Sequence, residues 1–292
     1  MIIKRGYIIA CLSATCFGLA SIFGKCSYNG GNTAISMTFY RALITVGIIY
    51  LILSIKKKQF SVGKKYIPQI IILGIFGQTL TTILINMAYY YIPAGTALTL
   101  HFLYPAIVTL VCVLFLKEKV SIIKLFVIFV AFLGTLFFFD GLTSDGTAGL
   151  IFALTSSVTW AFYIIYLEKS QLSNIDPFLL AFYQCIILAV CCFIWGNFTG
   201  EMRYIISASG WFNIVVSAIL FCLAIVLLQI GVNLLGSTTA SILGVFEPIS
   251  SLLFGFIILH EMISKKQIIG TIIILIAVVV LMIGDRKVNS VE

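Results

Sequence analysis

Two ionisable side chains, Arg41 and Glu247, stand inside otherwise apolar stretches of this 292-residue chain. A charge at the centre of a membrane-spanning helix costs about 2.5–3.5 kcal/mol on insertion scales, so each needs a function or a partner. On helical geometry Arg41 lies roughly 12 Å below the outer end of the second apolar run, and Glu247 roughly 15 Å from the inner end of the ninth. In a hydrocarbon core about 30 Å thick those depths nearly coincide. The two either form a structural ion pair or bind the opposite charges of a zwitterion. Glu247 can also be held protonated by its neighbours, and the Arg41 stem can snorkel outward.

Polar and aromatic residues at helical spacing extend this set. His101 and Tyr104 share a face with Ala97 and Val108. A second stripe, Ala240, Gly244, Glu247 and Ser251, is small, small, acidic and small, which lets helices or cargo approach closely. An unperturbed imidazole can titrate near neutral pH, so His101 and Glu247 are the candidate proton carriers; the alternative for His101 is a hydrogen-bonded packing residue. Gln78, Thr82 and Asn86 form one polar stripe, and Gln229 and Asn233 another. Amides in lipid must find partners, so these either glue helices or face a wet cavity. Trp160 and Tyr163, with Ser156, make a further candidate wall, and Tyr40, Tyr183 and Gln184 are additional options. The candidate substrate-binding residues are therefore Arg41, Asn86, His101, Tyr104, Trp160, Tyr163, Gln229 and Glu247. Tyr89, Tyr90 and Tyr91 read as an interfacial belt.

The elements that must position these residues follow from composition. The chain is 61% hydrophobic and 10% charged, against about 25% charged in soluble domains. A soluble sphere of this size needs a polar skin that this sequence lacks. That excludes an ordinary soluble enzyme, a disordered chain and a nucleic-acid binder. Breakers and charges divide the chain into ten predicted helices, near 6–26, 33–54, 67–91, 94–116, 121–139, 147–167, 177–196, 211–234, 237–259 and 266–284. The stretch after Lys4 and Arg5 reads as the first spanning helix rather than a signal peptide. Ser264 with Gln267 forms a capping box for the last helix.

The net charge of +8 reports topology rather than nucleic acid. Thirteen basic residues fall on one side: Lys4, Arg5, Lys56, Lys57, Lys58, Lys64, Lys65, Lys117, Lys119, Lys124, Lys169, Arg286 and Lys287. Four fall on the other: Lys25, Arg203, Lys265 and Lys266. The positive-inside rule then puts both termini in the cytoplasm and the chain in the cell membrane. The eight cysteines form no C-x-x-C pair and sit mostly in apolar runs, so they read as small hydrophobes, with no metal or disulfide expected.

An internal duplication is visible at an offset of 143 residues. Pro105 meets Pro248, Glu118 meets Glu261, Phe39-Tyr40 meets Phe182-Tyr183, and Thr96-Ala97 meets Thr239-Ala240. The chain reads as two halves, 1–145 and 146–292, of five helices each. Five is odd, so the second half enters from the opposite face and the repeats are inverted, the arrangement of alternating-access carriers.

With these motifs in place the sequence resembles the drug/metabolite transporter superfamily, EamA type, over nearly its whole length. In each half the resemblance rests on a proline in the fourth helix, an apolar run ending in Glu, and a following helix that bears Gly: Pro105, Glu118 and Gly134, then Pro248, Glu261 and Gly270. Phe246-Glu247-Pro248 is similar to the Leu-Glu-Pro of many members, and Arg41 follows Phe39-Tyr40 where the family often carries an Arg. Lys117 and His260 depart from the Gly common before the two Glu residues. The resemblance implies an all-α polytopic protein of ten helices, a central cavity between the halves, peripheral fifth and tenth helices, and export of small metabolites such as amino acids. Glu118 and Glu261 are expected to bind backbone donors at the start of the next helix.

The function expected is alternating-access transport of a small polar or amphipathic metabolite, foremost amino acid export, with no cofactor. Pro93-Ala94-Gly95 and Gly236-Ser237 are the expected gates. The alternative is a proton-coupled exporter of other small metabolites or drugs. Arg41 is the only cation expected to be buried, which disfavours phosphorylated cargo. Two His residues, no G-x-S-x-G and no Walker loop argue against an intramembrane enzyme, and no continuous polar stripe suggests a channel. The partners expected are a small-molecule substrate and the lipid bilayer, in a monomer or homodimer.

Overall fold

A computed structural model describes residues 2–92, 94–118, 121–137, 146–260 and 264–288. Helices dominate it, and no strand occurs among the described residues. They are α1 (Ile2–Tyr28), α2 (Ala34–Ile55), α3 (Lys64–Tyr91), α4 in two segments (Ala94–His101 and Tyr104–Leu114), α5 (Ile122–Leu136), α6 (Thr147–Lys169) and α7 (Pro177–Phe198). The continuous run Ala208–Gly244 turns at Gly236, whose φ of 78° is outside helical space, and so divides into α8 (208–235) and the first segment of α9 (237–244). Phe246–Leu259 completes α9, and α10 is Lys265–Val288. Seven helical stretches are long and apolar enough to cross a membrane by length and composition, and α5, α9 and α10 carry shorter apolar stretches. The protein is a polytopic helical membrane protein.

Local chemistry sets several helix starts. Thr33 accepts from the Ser36 N–H at 3.1 Å before α2. Asp176 accepts from the Phe178 N–H at 3.0 Å, with Pro177 as the first residue of α7. Ser207 accepts from the Gly210 N–H at 3.2 Å before α8. Each side chain satisfies one orphan donor of a helix N-terminus.

One irregularity escapes the sequence reading. Residues Leu73–Thr79 of α3 form a π-helix, a form that is rare and recurs at functional sites. Gly77 lies in it, and a Cβ there would come within 2.9 Å of the Tyr163 ring. The bare backbone lets α3 close on α6.

The packing pairs helices from the first five with helices from the last five. α1 lies against α8 and α9, while α6 lies against α3 and α4. α2 contacts α8, and α7 contacts α3. α2 also packs on α7, and α5 on α10. Moving both partners by five positions converts these contacts into one another. The largest buried cluster gathers Ile49, Leu53, Leu73, Tyr163, Ile164 and Ile225 from four helices. α5 and α10 turn Phe126, Phe129, Ile272 and Ile276 outward, as a pair bathed in lipid does.

Candidate functional site

The two prolines create the site's framework. Proline lacks an N–H, and its ring collides with the carbonyl four residues back. For Pro105 that carbonyl belongs to His101, and for Pro248 to Gly244. α4 accordingly breaks at Phe102-Leu103 and α9 at Val245. Leu103 (φ −70°, ψ −15°) and Val245 (φ −62°, ψ −11°) adopt almost the same conformation. Phe102 and Val245 line one small apolar void with Pro105, Ile128 and Ala131, so the two interruptions face each other.

Around these breaks the aromatic candidates assemble. His101 Nδ1 lies 2.9 Å from Ser156 Oγ. The His101 ring is 5.7 Å from Tyr104 and 6.5 Å from Trp160. Trp160 stacks on Tyr163 at 4.7 Å with the planes 3° apart. Phe17 meets Trp160 edge-on at 6.4 Å and Phe221 at 5.9 Å. The Arg41 guanidinium sits 4.3 Å over the Phe221 ring, a cation–π contact. A continuous run of rings thus links His101 to Arg41.

Beside this wall lies a buried amide network. Tyr163 Oη donates to Gln184 Oε1 at 3.2 Å, and Gln229 Nε2 donates to the same oxygen at 2.9 Å. Both Gln side chains are fully buried. Gln184 Nε2 and Gln229 Oε1 have no protein partner, which leaves one donor and one acceptor unused.

Arg41 and Glu247 lie within electrostatic range of each other, yet no ion pair joins them among the described residues. Arg41 Nε is buried without a partner. Glu247 also lies within electrostatic range of Tyr104 and Tyr89, a relationship that the belt reading of Tyr89 did not contain. Tyr90 donates to Glu201 at 2.6 Å. The structure therefore brings His101, Tyr104, Trp160, Tyr163 and Gln229 together, with Arg41 and Glu247 at their margin. Asn86 stands apart: its buried Nδ2 has no partner, and no hydrogen bond links it to the others. Sequence reasoning offered Gln184 only as an additional option, and it missed Phe17 and Phe221 as spacers. Phenylalanine in an apolar run gives no signal of such a role.

At the end of the bundle that carries most Lys residues, Glu118 departs from its expected role. It pairs with Lys169 of α6, because the end of α4 lies beside the end of α6. At this turn the carboxylate that accepts from a helix-start donor is Glu168, whose Oε2 takes the Ser237 N–H at 2.6 Å. Lys169 also pairs with Glu168 at 2.9 Å. Glu118, Lys124, Glu168 and Gly236 to Thr239 line a cavity of about 220 Å³ there. Glu261, Pro93 and the side chains of Ala94 and Gln267 lie outside the described residues. At the same end Lys58 pairs with Asp176. Burial opposes ionisation of Asp176, but Lys58 and the N–H groups of Phe178 and Leu179 outweigh it and hold the carboxyl below its ordinary value.

Among the described residues no group of three or more His, Cys, Asp or Glu side chains could hold a metal, and all eight cysteines are free. The profile of the EamA-like transporter family matches residues 4–139 and again residues 147–283. The chain belongs to this family. This EamA-like protein is 25% identical over 317 residues to an uncharacterized transporter of Clostridium kluyveri, covering 99% of this chain and 96% of that one. It is 24% identical over 239 residues to the uncharacterized transporter YoaV of Bacillus subtilis, covering 77% and 79%. It is also 24% identical over 206 residues to an uncharacterized transporter of Synechocystis sp., covering 68% and 62%. The match thus spans 62% of that relative's length. A solved crystal structure superposes with a TM-score of 0.85 at 16% identity, covering 97% of this chain and 99% of the other, a likeness of fold. The family and its fold carry the ten-helix arrangement.

Proposed function

We propose that this EamA-like protein is an alternating-access carrier that exports a small zwitterionic or amphipathic metabolite, foremost an amino acid. The observation that carries this reading is the pair Arg41 and Glu247, within electrostatic range and yet not neutralising each other. Two ionisable groups of opposite sign that form no ion pair with each other, beside an aromatic wall, suit a cargo with an amine, a carboxylate and an apolar body. In this reading the halves 1–145 and 146–292 rock about a site between them, the chain lies in the cell membrane, and both termini are cytoplasmic. One buried cation is too few for phosphorylated cargo.

A second reading is proton-coupled export of other small metabolites or drugs, favoured by the ring wall and by His101 beside Ser156. Counterflow of labelled amino acids in proteoliposomes separates the two. Saturable counterflow of one amino-acid class, lost in both Arg41→Ala and Glu247→Gln, supports the first reading. Flux that persists in Arg41→Ala and follows the pH gradient only while Glu247 is present supports the second. No counterflow with any tested metabolite overturns the carrier reading.

A further inference from the structure

The charged cluster at the Lys-rich end is not absorbed by the cargo site. It joins three separate segments: Glu118 beyond α4, Glu168 and Lys169 at the end of α6, and the turn into α9. Lys169 pairs with both Glu118 and Glu168. Glu168 Oε2 accepts from the Ser237 N–H at 2.6 Å, at the first residue past Gly236. That N–H belongs to a helix N-terminus, where a carboxylate is favoured. Gly236 holds φ at 78°, a value at which L side chains are strained, so the turn is sharp. Lys124 of α5 adds a bond to Thr239 Oγ1 at 2.9 Å.

Two further observations give this cluster a gate's geometry. The cavity of about 220 Å³ lies on the cluster, lined by the same Glu118, Glu168 and Gly236 to Thr239. Directly behind the turn, Cys112 Sγ lies 3.5 Å from Ser237 Oγ, and Cys112 is fully buried. Cys112 sits on the segment of α4 that begins at the break beside His101. The ion cluster thus covers a buried thiol on the helix that continues to the ring wall.

We propose that Glu118, Lys169 and Glu168 form a latch that clamps the α8–α9 turn to the ends of α4 and α6 and shuts the Lys-rich end of the cargo path. Lys169 pairs with two carboxylates at once, and Glu168 converts that pairing into a grip on the turn's backbone. Releasing Lys169 leaves two carboxylates facing one another, which drives the segments apart. The latch opens toward the end that the positive-inside rule assigns to the cytoplasm. This inference rests on the alternating-access reading above.

The test uses Cys112 as a native reporter. Membranes holding the full chain are treated with a membrane-impermeant maleimide from each side, and mass spectrometry of the labelled peptides reads Cys112 by itself. In the native protein Cys112 stays protected. In Lys169→Met and in Glu168→Ala it is modified roughly fivefold faster, from the Lys-rich side only. Lys169→Arg keeps the charge and stays near native. Where either variant fails to fold, the native protein in about 1 M salt takes its place, since screening there falls to about 3 Å and loosens the cluster. Protection of Cys112 in both variants and at high salt overturns the latch. Equal reactivity of Cys112 in native protein and variants does so as well. Counterflow at the native rate with Cys112 protected in the variants and at high salt as well removes the latch and leaves the carrier reading intact. Cys112 opened by latch loss in a protein that moves no solute keeps the latch and removes the carrier.

Discussion

Tyr104 presses its hydroxyl against Gly244, so closely that a Cβ on Gly244 would overlap it. Tyr104 is buried, so the ring has no free space to retreat into. The contact brings the broken stretches of α4 and α9 together, because Gly244 carries the carbonyl that Pro248 displaces. Gly244→Ala therefore forces the two helices apart or rotates Tyr104 toward His101. Overpacking of this kind costs about 1–3 kcal/mol. The expected outcome is a lower melting temperature in detergent and slower counterflow. Tyr104→Phe removes the clashing oxygen, so the double variant recovers part of the loss. Simple additivity of the two substitutions would show that they do not share this contact.

Gln184 binds three helices through one oxygen, with Tyr163 on α6 and Gln229 on α8 as its donors. Gln184→Ala strands both donors in a buried site, a loss of about 1–3 kcal/mol. Thermal unfolding in micelles measures it. Tyr163→Phe removes one of the stranded groups in advance. In that background the loss from Gln184→Ala is expected to shrink, and an undiminished loss would place the stabilisation outside the network.

The ten helices were legible because apolar length acts locally; the breaks before Pro105 and Pro248 were not foreseen, since the predicted helices 94–116 and 237–259 run through both prolines. The predicted ends of α2 and α7, 33–54 and 177–196, fall within two residues of Ala34–Ile55 and Pro177–Phe198. The π-helix at Leu73–Thr79 was not legible, since it depends on how closely Gly77 meets Tyr163 on another helix. Arg41, His101 and Glu247 stood out because a titratable side chain is conspicuous among apolar ones. Their partners did not, because helix rotation decides whether Glu118 reaches Lys169 or Gln184 reaches Tyr163, and a chain this uniformly apolar encodes rotation weakly. Asn86 shows the converse: its helical spacing matched a polar stripe, but its amide joins none of the other candidates.

Asp176 supplies a pH prediction. Its folded carboxyl is held below the ordinary value, through Lys58 and the start of α7. A group shifted in that direction stabilises fully above the unfolded value, about 3.9 for Asp, and loses the contribution as pH falls through the lower folded value. The pair is partly exposed, which limits it to about 0–1 kcal/mol and makes it salt-sensitive. Asp176→Asn can still cap α7 but cannot pair with Lys58. Native protein is expected to melt slightly above this variant at pH 7, with the gap closing toward pH 3. A gap of constant size across that range would assign the effect to capping instead.

Arg41 and Phe221 allow charge to be separated from shape. The guanidinium lies 4.3 Å over the ring, and its Nε has no other protein partner. A planar guanidinium can stack on the ring and still present donors to a carboxylate, whereas a Lys ammonium is a compact charge on a flexible stem. Arg41→Lys therefore keeps the charge but releases it from the ring. A cation–π contact in a desolvated site is worth about 1–2 kcal/mol, or roughly five- to thirtyfold in affinity. The expected result is a KM for counterflow raised within that range in Arg41→Lys. Phe221→Leu gives a similar rise, because it removes the platform and leaves the guanidinium. The double variant adds little to either. A native KM in Arg41→Lys, with loss only in Arg41→Ala, would mean that charge alone recruits the cargo and that the ring merely packs.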